Sequence, residues 1–257
     1  MARCLLWACA LLLGPLNAHA QGTTTVAAAS DLQFALEELG QQFRRDTGHR
    51  IRFVFGSSGQ FATQILQGAP YDLFMSADES LVFKLEAAGK TRDKGKVYAL
   101  GRIGLLVPHG SPVRADGELR GVAAALKEGR IRQFAVANPH HAPYGMRARE
   151  ALEHAGLWTA LEPRLVMGEN ISQATQFTLS GSVQAGIIAL SLSKAPAVAQ
   201  GGQFALIPAD WHQPLRQRMV LLKGAPPAAR QLYDYLGSPA AQTVLRRHGF
   251  DMPGERD

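Results

Sequence analysis

Three short segments of this chain could bind an anion without help from Lys or Arg. Ala-Ala-Ala-Ser-Asp (Ala27 to Asp31), Phe-Gly-Ser-Ser-Gly-Gln (Phe55 to Gln60) and Gly-Glu-Asn-Ile-Ser-Gln (Gly168 to Gln173) share one pattern. Each ends a strand-like run on a small polar residue and then starts a helix. Asn-Pro-His-His-Ala-Pro-Tyr-Gly (Asn138 to Gly145) is a looser fourth case. A helix start carries unpaired N–H groups and the positive end of the peptide dipole. One such end is ordinarily a cap; several meeting in one cleft make an anion site. Ser30 with Gln33, Ser57 with Gln60 and Asn170 with Gln173 have the spacing of a capping box or a close variant. Capping alone therefore remains an alternative for each of them.

Other chemistries fit less well. Ser58 as nucleophile with His141 as base would make a secreted hydrolase. However, Gln60 stands where a G-x-S-x-G elbow needs its last Gly. There is no G-x-x-x-x-G-K-[ST] phosphate loop. His140 and His141 are adjacent, and no two His stand four residues apart on a predicted helix to support zinc.

The elements that must position these residues follow from periodicity. Thr24–Ala28, Ile51–Phe55, Tyr71–Met75, Ile103–Val107, Phe134–Ala137, Leu165–Met167, Ala185–Leu190, Phe204–Ile207 and Gln217–Leu222 read as strands. Helical spacing appears in Leu32–Phe43, Phe61–Leu66, Leu81–Ala88, Leu119–Leu126, Met146–Ala155, Ser172–Leu179, Ala228–Leu236 and Ala240–His248. This alternation predicts an α/β fold of parallel βαβ units. Gly-bearing extended stretches near Ala99–Val107 and Gln200–Ile207 predict two crossovers between two lobes. The expected division is 21–101 with 204–257 in lobe I and 102–203 in lobe II. A ligand would sit between them, outside the carboxyl ends of strands.

The first twenty residues read as a secretory leader. Arg3 supplies the basic start, Leu5 to Leu13 the apolar core and Ala18-His19-Ala20 a cleavage site. Both cysteines, Cys4 and Cys9, fall inside it, so the mature chain would hold no disulfide. The formal charge of +6 is a mild excess that favours small anions without specifying a site. No basic stripe interleaved with aromatics suggests nucleic acid.

The five motifs together, in this order and spacing, resemble the periplasmic molybdate-binding proteins of ABC import systems. They are Ala-Ala-Ala-Ser-Asp-Leu, Phe-Gly-Ser-Ser-Gly, Gly-Ala-Pro-Tyr-Asp-Leu-Phe-Met-Ser-Ala-Asp, Asn-Pro-His-His-Ala-Pro-Tyr-Gly and Gly-Glu-Asn-Ile-Ser-Gln-Ala. The C-terminal stretches Tyr233–Gln242 and Arg247–Phe250 resemble the same family. The resemblance implies a type II periplasmic binding protein of two lobes, each a mostly parallel sheet flanked by helices. It implies capture of molybdate or tungstate, delivery to an inner-membrane ABC permease, no catalysis and no cofactor. It also implies a periplasmic location, and a monomer is expected. By the same resemblance Ser30 and Ser58 would offer hydroxyls, and Tyr144 and Ile171 backbone N–H groups. Some members add a Tyr near Ile188, where this chain has Ala189. Asp31 is the anomaly: a carboxylate facing a dianion must point away, or the bound anion must carry a proton. Phosphate or sulfate is accordingly the nearest rival ligand.

Overall fold

A computed structural model describes residues 23–254. The leader, its cleavage after Ala20 and both cysteines lie outside the described residues. The chain first lays down β1 (Thr24–Ala29), β2 (Ile51–Gly56), β3 (Leu73–Ser76) and β4 (Lys96–Gly101). It then builds β5 (Ile103–Pro108), β6 (Phe134–Ala137), β7 (Leu165–Gly168), β8 (Ala185–Ala189) and β9 (Gly202–Leu206), and returns with β10 (Leu215–Leu221). These form two five-stranded sheets, ordered β2-β1-β3-β10-β4 and β7-β6-β8-β5-β9.

Each sheet is mixed. β10 runs antiparallel to both β3 and β4, and β5 runs antiparallel to both β8 and β9. The other four strands of each sheet share one direction, as their pairings require. The expected parallel sheets are thus each interrupted by one reversed strand, and that strand is the first after a crossover.

The helices are α1 (Gln33–Thr47), α2 (Ser58–Leu66), α3 (Glu79–Ala87), α4 (Arg120–Lys127), α5 (Pro143–His154), α6 (Trp158–Leu161), α7 (Ile171–Leu179), α8 (Leu190–Ser193), α9 (Pro196–Gly201), α10 (Pro227–Leu236) and α11 (Pro239–Arg247). Their apolar faces cover the sheets. In α1, Ala35, Leu36, Leu39 and Phe43 are buried at the spacing of one helical face. Phe43, Phe74 and Phe134 are fully buried, each stabilising the fold by roughly 1.5–3 kcal/mol. β5 and β8 are buried at every position, as befits central strands covered on both faces.

The outgoing crossover passes through Arg102 alone, between β4 and β5. The return crossover spans 207–214. The expected boundary at 203/204 therefore cuts through β9, where Phe204 pairs with Leu106 of the second sheet. The alternation that made Phe204–Ile207 read as a strand serves the edge of the second sheet before the chain leaves it. β4 escaped the sequence reading because Lys96–Pro108 is nearly one extended run. Only the change of partner at Arg102 divides it.

Candidate functional site

The parallel register sets the first half of the site. Ala29 at the end of β1 pairs with Gly56 at the end of β2, so the two following helix starts lie side by side. The second sheet repeats the arrangement, with Ala137 of β6 beside Gly168 of β7. α5 follows β6 and α7 follows β7. The two halves face each other across one small cavity. Ser30, Asp31, Ser57 and Ser58 line it from the first lobe, and Tyr144, Asn170 and Ile171 from the second. All five residues singled out in the sequence, Ser30, Asp31, Ser58, Tyr144 and Ile171, thus stand around one space. It has room for a single small species. No Lys or Arg is among its lining residues. Helix starts therefore supply the positive partial charge in this lining.

The capping boxes divide in an informative way. Asn170 caps α7, with its side chain accepting from Gln173 N at 3.1 Å. Gln173 reaches back one residue further than a standard box, accepting from Glu169 N at 2.6 Å. Ser57 occupies the cap position of α2 but makes no side-chain cap bond. Ser30 lies inside a single 3-10 turn, Ser30–Leu32, that precedes α1. Two of the three boxes therefore leave their helix starts without a side-chain cap.

The hydroxyls of Ser58 and Ser30 are poised as donors. Ser58 Oγ accepts from Ala77 N at 3.0 Å, and Ser30 Oγ accepts from Ser172 N at 3.3 Å. A hydroxyl that accepts from a fixed backbone N–H keeps its own proton to donate. Ser172 also donates through Oγ to Ser30 O at 3.1 Å, tying α7 to the first lobe. In α7, Ser172 N and Gln173 N are thereby satisfied. Ile171 N, at the first position, has no partner within the helix.

Asp31 sits at the centre of a buried polar network. Its Oδ2 accepts from Tyr144 Oη at 2.8 Å and from Gln217 Nε2 at 2.6 Å. Gln217 also donates to Tyr144 Oη at 3.1 Å and accepts from Tyr98 Oη at 2.7 Å. Ser191 Oγ donates to the Asp31 carbonyl at 2.9 Å. Asp31 Oδ1 is buried without a hydrogen-bond partner. Burial pushes the Asp31 carboxyl up to about 6, against the lowering effect of the Gln217 and Tyr144 hydrogen bonds and, less, of its own backbone N–H. The same burial, with the Asp31 charge nearby, raises the Tyr98 and Tyr144 hydroxyls well above the usual tyrosine value. Asp31 thus does not point away from the network. One oxygen is spent on it, and the other stays unpaired in a residue that lines the cavity. Sequence reading placed Tyr144 here for its backbone; its side chain also spans the two lobes. Tyr98 and Gln217 were missed. Tyr98 lies between apolar neighbours in β4 and Gln217 between Arg216 and Arg218 in β10, and the fold closes the 119 residues that separate them in sequence.

The lobes also meet at the mouth of the cleft. Ser57 Oγ donates to His141 O at 2.6 Å, and His141 Nδ1 lies 3.0 Å from the same Oγ. Gly59 N donates to His141 O at 3.0 Å, and Gln60 Nε2 donates to Glu169 at 2.6 Å. His141 Nε2 stands 3.5 Å from Glu169. His141 is therefore a bridge between lobes rather than a solvated loop residue. It faces Ser57, not Ser58, and the Ser57 proton is already given to a backbone carbonyl. The Ser58–His141 pair considered from the sequence is therefore not assembled.

If Ser58 donates to a bound oxyanion, Ser58→Ala should weaken binding by about 1.5–3 kcal/mol, the scale of a hydrogen bond to a charged group. Calorimetry on a folded variant checks this; unchanged affinity would place Ser58 outside the site.

Comparison with known proteins places this arrangement. Residues 24–251 match the family described as bacterial extracellular solute-binding protein. The chain is 37% identical to the molybdate-binding protein ModA of Rhodobacter capsulatus, over 95% of this chain and 94% of that one. It is 36% identical to ModA of Azotobacter vinelandii, over 88% and 89%. The solved structure of the Azotobacter vinelandii periplasmic molybdate-binding protein superposes with a TM-score of 0.79 at 31% identity, covering 90% of this chain and 99% of that one. Two α/β lobes joined by two crossovers, with helix starts turned into the space between them, agree with that match along the full described length, and the chain belongs to the bacterial extracellular solute-binding protein family.

Proposed function

We propose that this protein captures molybdate, or the closely similar tungstate, between its two lobes in the periplasm and delivers it to an ABC permease in the inner membrane. The observation that carries the reading is the lining of the cavity: uncapped helix starts, serine hydroxyls free to donate and no basic side chain. A tetrahedral oxodianion offers acceptors only, so a shell of donors is its complement. Ser30 and Ser58 give hydroxyls; Tyr144 and Ile171 give N–H groups at the starts of α5 and α7. Relatives named for molybdate binding support the choice of ligand. Sulfate has the same charge and shape but is smaller, so cavity size must exclude it.

The protein does no chemistry on its ligand, uses no cofactor and acts as a monomer after loss of its leader at Ala20. One chain supplies both walls of the cavity. Ala189, where some relatives carry a Tyr, contributes no hydroxyl, and Tyr144 holds the opposite wall through Asp31. The positive end of each helix acts over a short range, so both lobes must close on the anion.

A thermal-shift panel with molybdate, tungstate, sulfate and phosphate tests this. A ligand bound only by the native state raises stability by mass action, about 4.1 kcal/mol at a thousand times Kd. Molybdate and tungstate should raise Tm strongly and sulfate little. A larger shift with phosphate or sulfate would transfer the site to that anion.

A further inference from the structure

A buried carboxylate in a site for a dianion raises the question of charge. Asp31 is 2% exposed and lines the cavity. Two neutral donors, Tyr144 Oη and Gln217 Nε2, converge on its Oδ2. Its Oδ1 has no partner. No cation among the described residues is hydrogen-bonded to either oxygen. A dianion closing onto this group would meet an uncompensated negative charge in a water-poor space, where repulsion is at its strongest.

We propose that Asp31 takes up one proton from solvent as the dianion enters, so that the closed site holds molybdate and a neutral carboxylic acid. The proton goes to Oδ1, the oxygen without a partner, and removes the repelling charge beside the anion. Oδ2 keeps its bonds to Tyr144 and Gln217, so the lobes stay tied while the charge is removed. The inference rests on the oxyanion reading given above.

The surroundings leave Asp31 as the group that can do this. Tyr144 on α5 and Tyr98 on β4 stay neutral, their hydroxyls raised by burial and by the Asp31 charge. β10 presents neutral Gln217, α8 neutral Ser191 and α7 neutral Ser172. α2 presents Ser57 and Ser58. The titratable pair at the mouth is His141 with Glu169, joined to the site through Ser57. Burial by the protein alone holds the Asp31 carboxyl at about 6. A neighbouring dianion pushes it further up.

Calorimetric titration of the full mature protein with sodium molybdate between pH 6.5 and 8.5 tests the inference. Paired buffers of different ionisation enthalpy report the protons exchanged. Close to one proton should be taken up per molybdate near pH 8, and Kd should weaken about tenfold per pH unit above roughly pH 7 by linkage. Asp31→Asn, which keeps the shape and cannot titrate, should bind molybdate with no proton uptake and a flat pH profile. His141→Gln should keep the uptake. Tight binding by the wild type without proton uptake overturns the proposal while leaving the oxyanion reading intact. So does a pH slope that persists in Asp31→Asn or vanishes in His141→Gln. The absence of molybdate binding at every pH, in the wild type and the variants alike, overturns the oxyanion reading and the proposal with it.

Discussion

Gly59→Ala is expected to lose molybdate affinity by roughly a hundredfold while the unliganded protein stays folded. A Cβ at Gly59 would lie 2.3 Å from the backbone oxygen of His141, on the opposite lobe. That carbonyl is fixed by two donors, Ser57 Oγ and Gly59 N, and cannot move aside without losing both. Overpacking of this kind costs about 1–3 kcal/mol, and breaking the pair of hydrogen bonds adds about 1 kcal/mol each. A total near 3 kcal/mol is about a hundredfold in Kd. The penalty falls only on the closed state, because the open cleft separates Gly59 from His141. Calorimetry should therefore show weak binding, and thermal melts without ligand should match the wild type within a few degrees. Wild-type affinity in the variant would mean that closure does not bring these two segments together.

Gln217→Leu should have the largest effect on stability. Gln217 is fully buried and connects three polar side chains. Leu is of similar size but returns none of these bonds. Asp31 would lose one of its two donors, and Tyr98 Oη would keep only a long contact, 3.5 Å, to Ser76 O. Weakening a bond to a charged group costs about 1.5–3 kcal/mol, and a buried unsatisfied hydroxyl a further 1–3. Denaturant melts should show a loss of about 3–5 kcal/mol. Gln217→Glu discriminates packing from polarity, since it keeps the shape and adds a second buried acid beside Asp31. It should be destabilised at pH 7.5 and recover as the pH falls towards 5, where protonation restores a donor. A loss below 1 kcal/mol in both variants would show that water replaces the Gln217 amide.

The same network marks the limit of what the sequence discloses. The segments that carry Ser30, Ser58, Tyr144 and Ile171 were legible because a strand end followed by a helix start is a local pattern that the chain repeats, and the family resemblance singled out these residues within them. Most strands and helices were legible for the same reason, from apolar spacing over short windows. Gln217 and Tyr98 carry no local signal. Tyr98 is one residue among apolar neighbours and Gln217 is hidden in an Arg216-Gln217-Arg218 run that reads as solvated, while the bonds that join them to each other and to Asp31 span more than a hundred residues. Gly101 is similar. It reads as a crossover glycine, yet a Cβ there would lie 2.4 Å from Tyr144 Oη and 2.9 Å from Gln217 Nε2. It keeps the crossover backbone thin enough for the network to pass. The reversed strands β5 and β10 also escape local patterns, because strand direction depends on which sheet the chain enters after Arg102 and after Leu206. Asp31 lay between the two cases. Its conflict with a dianion was visible in the residue types, and only the fold shows which oxygen is engaged and which is left bare.

On the proposed function, one oxyanion is held between the lobes by helix starts and serine hydroxyls. Crystals grown with sodium molybdate and measured on both sides of a molybdenum absorption edge would test it most directly. One strong anomalous peak per chain is expected, in the cavity between Ser30 and Ser58 on one side and Tyr144 and Ile171 on the other, with molybdate oxygens at hydrogen-bond distance from those groups. A peak elsewhere on the protein, or an empty cavity in crystals that contain millimolar molybdate, would contradict it.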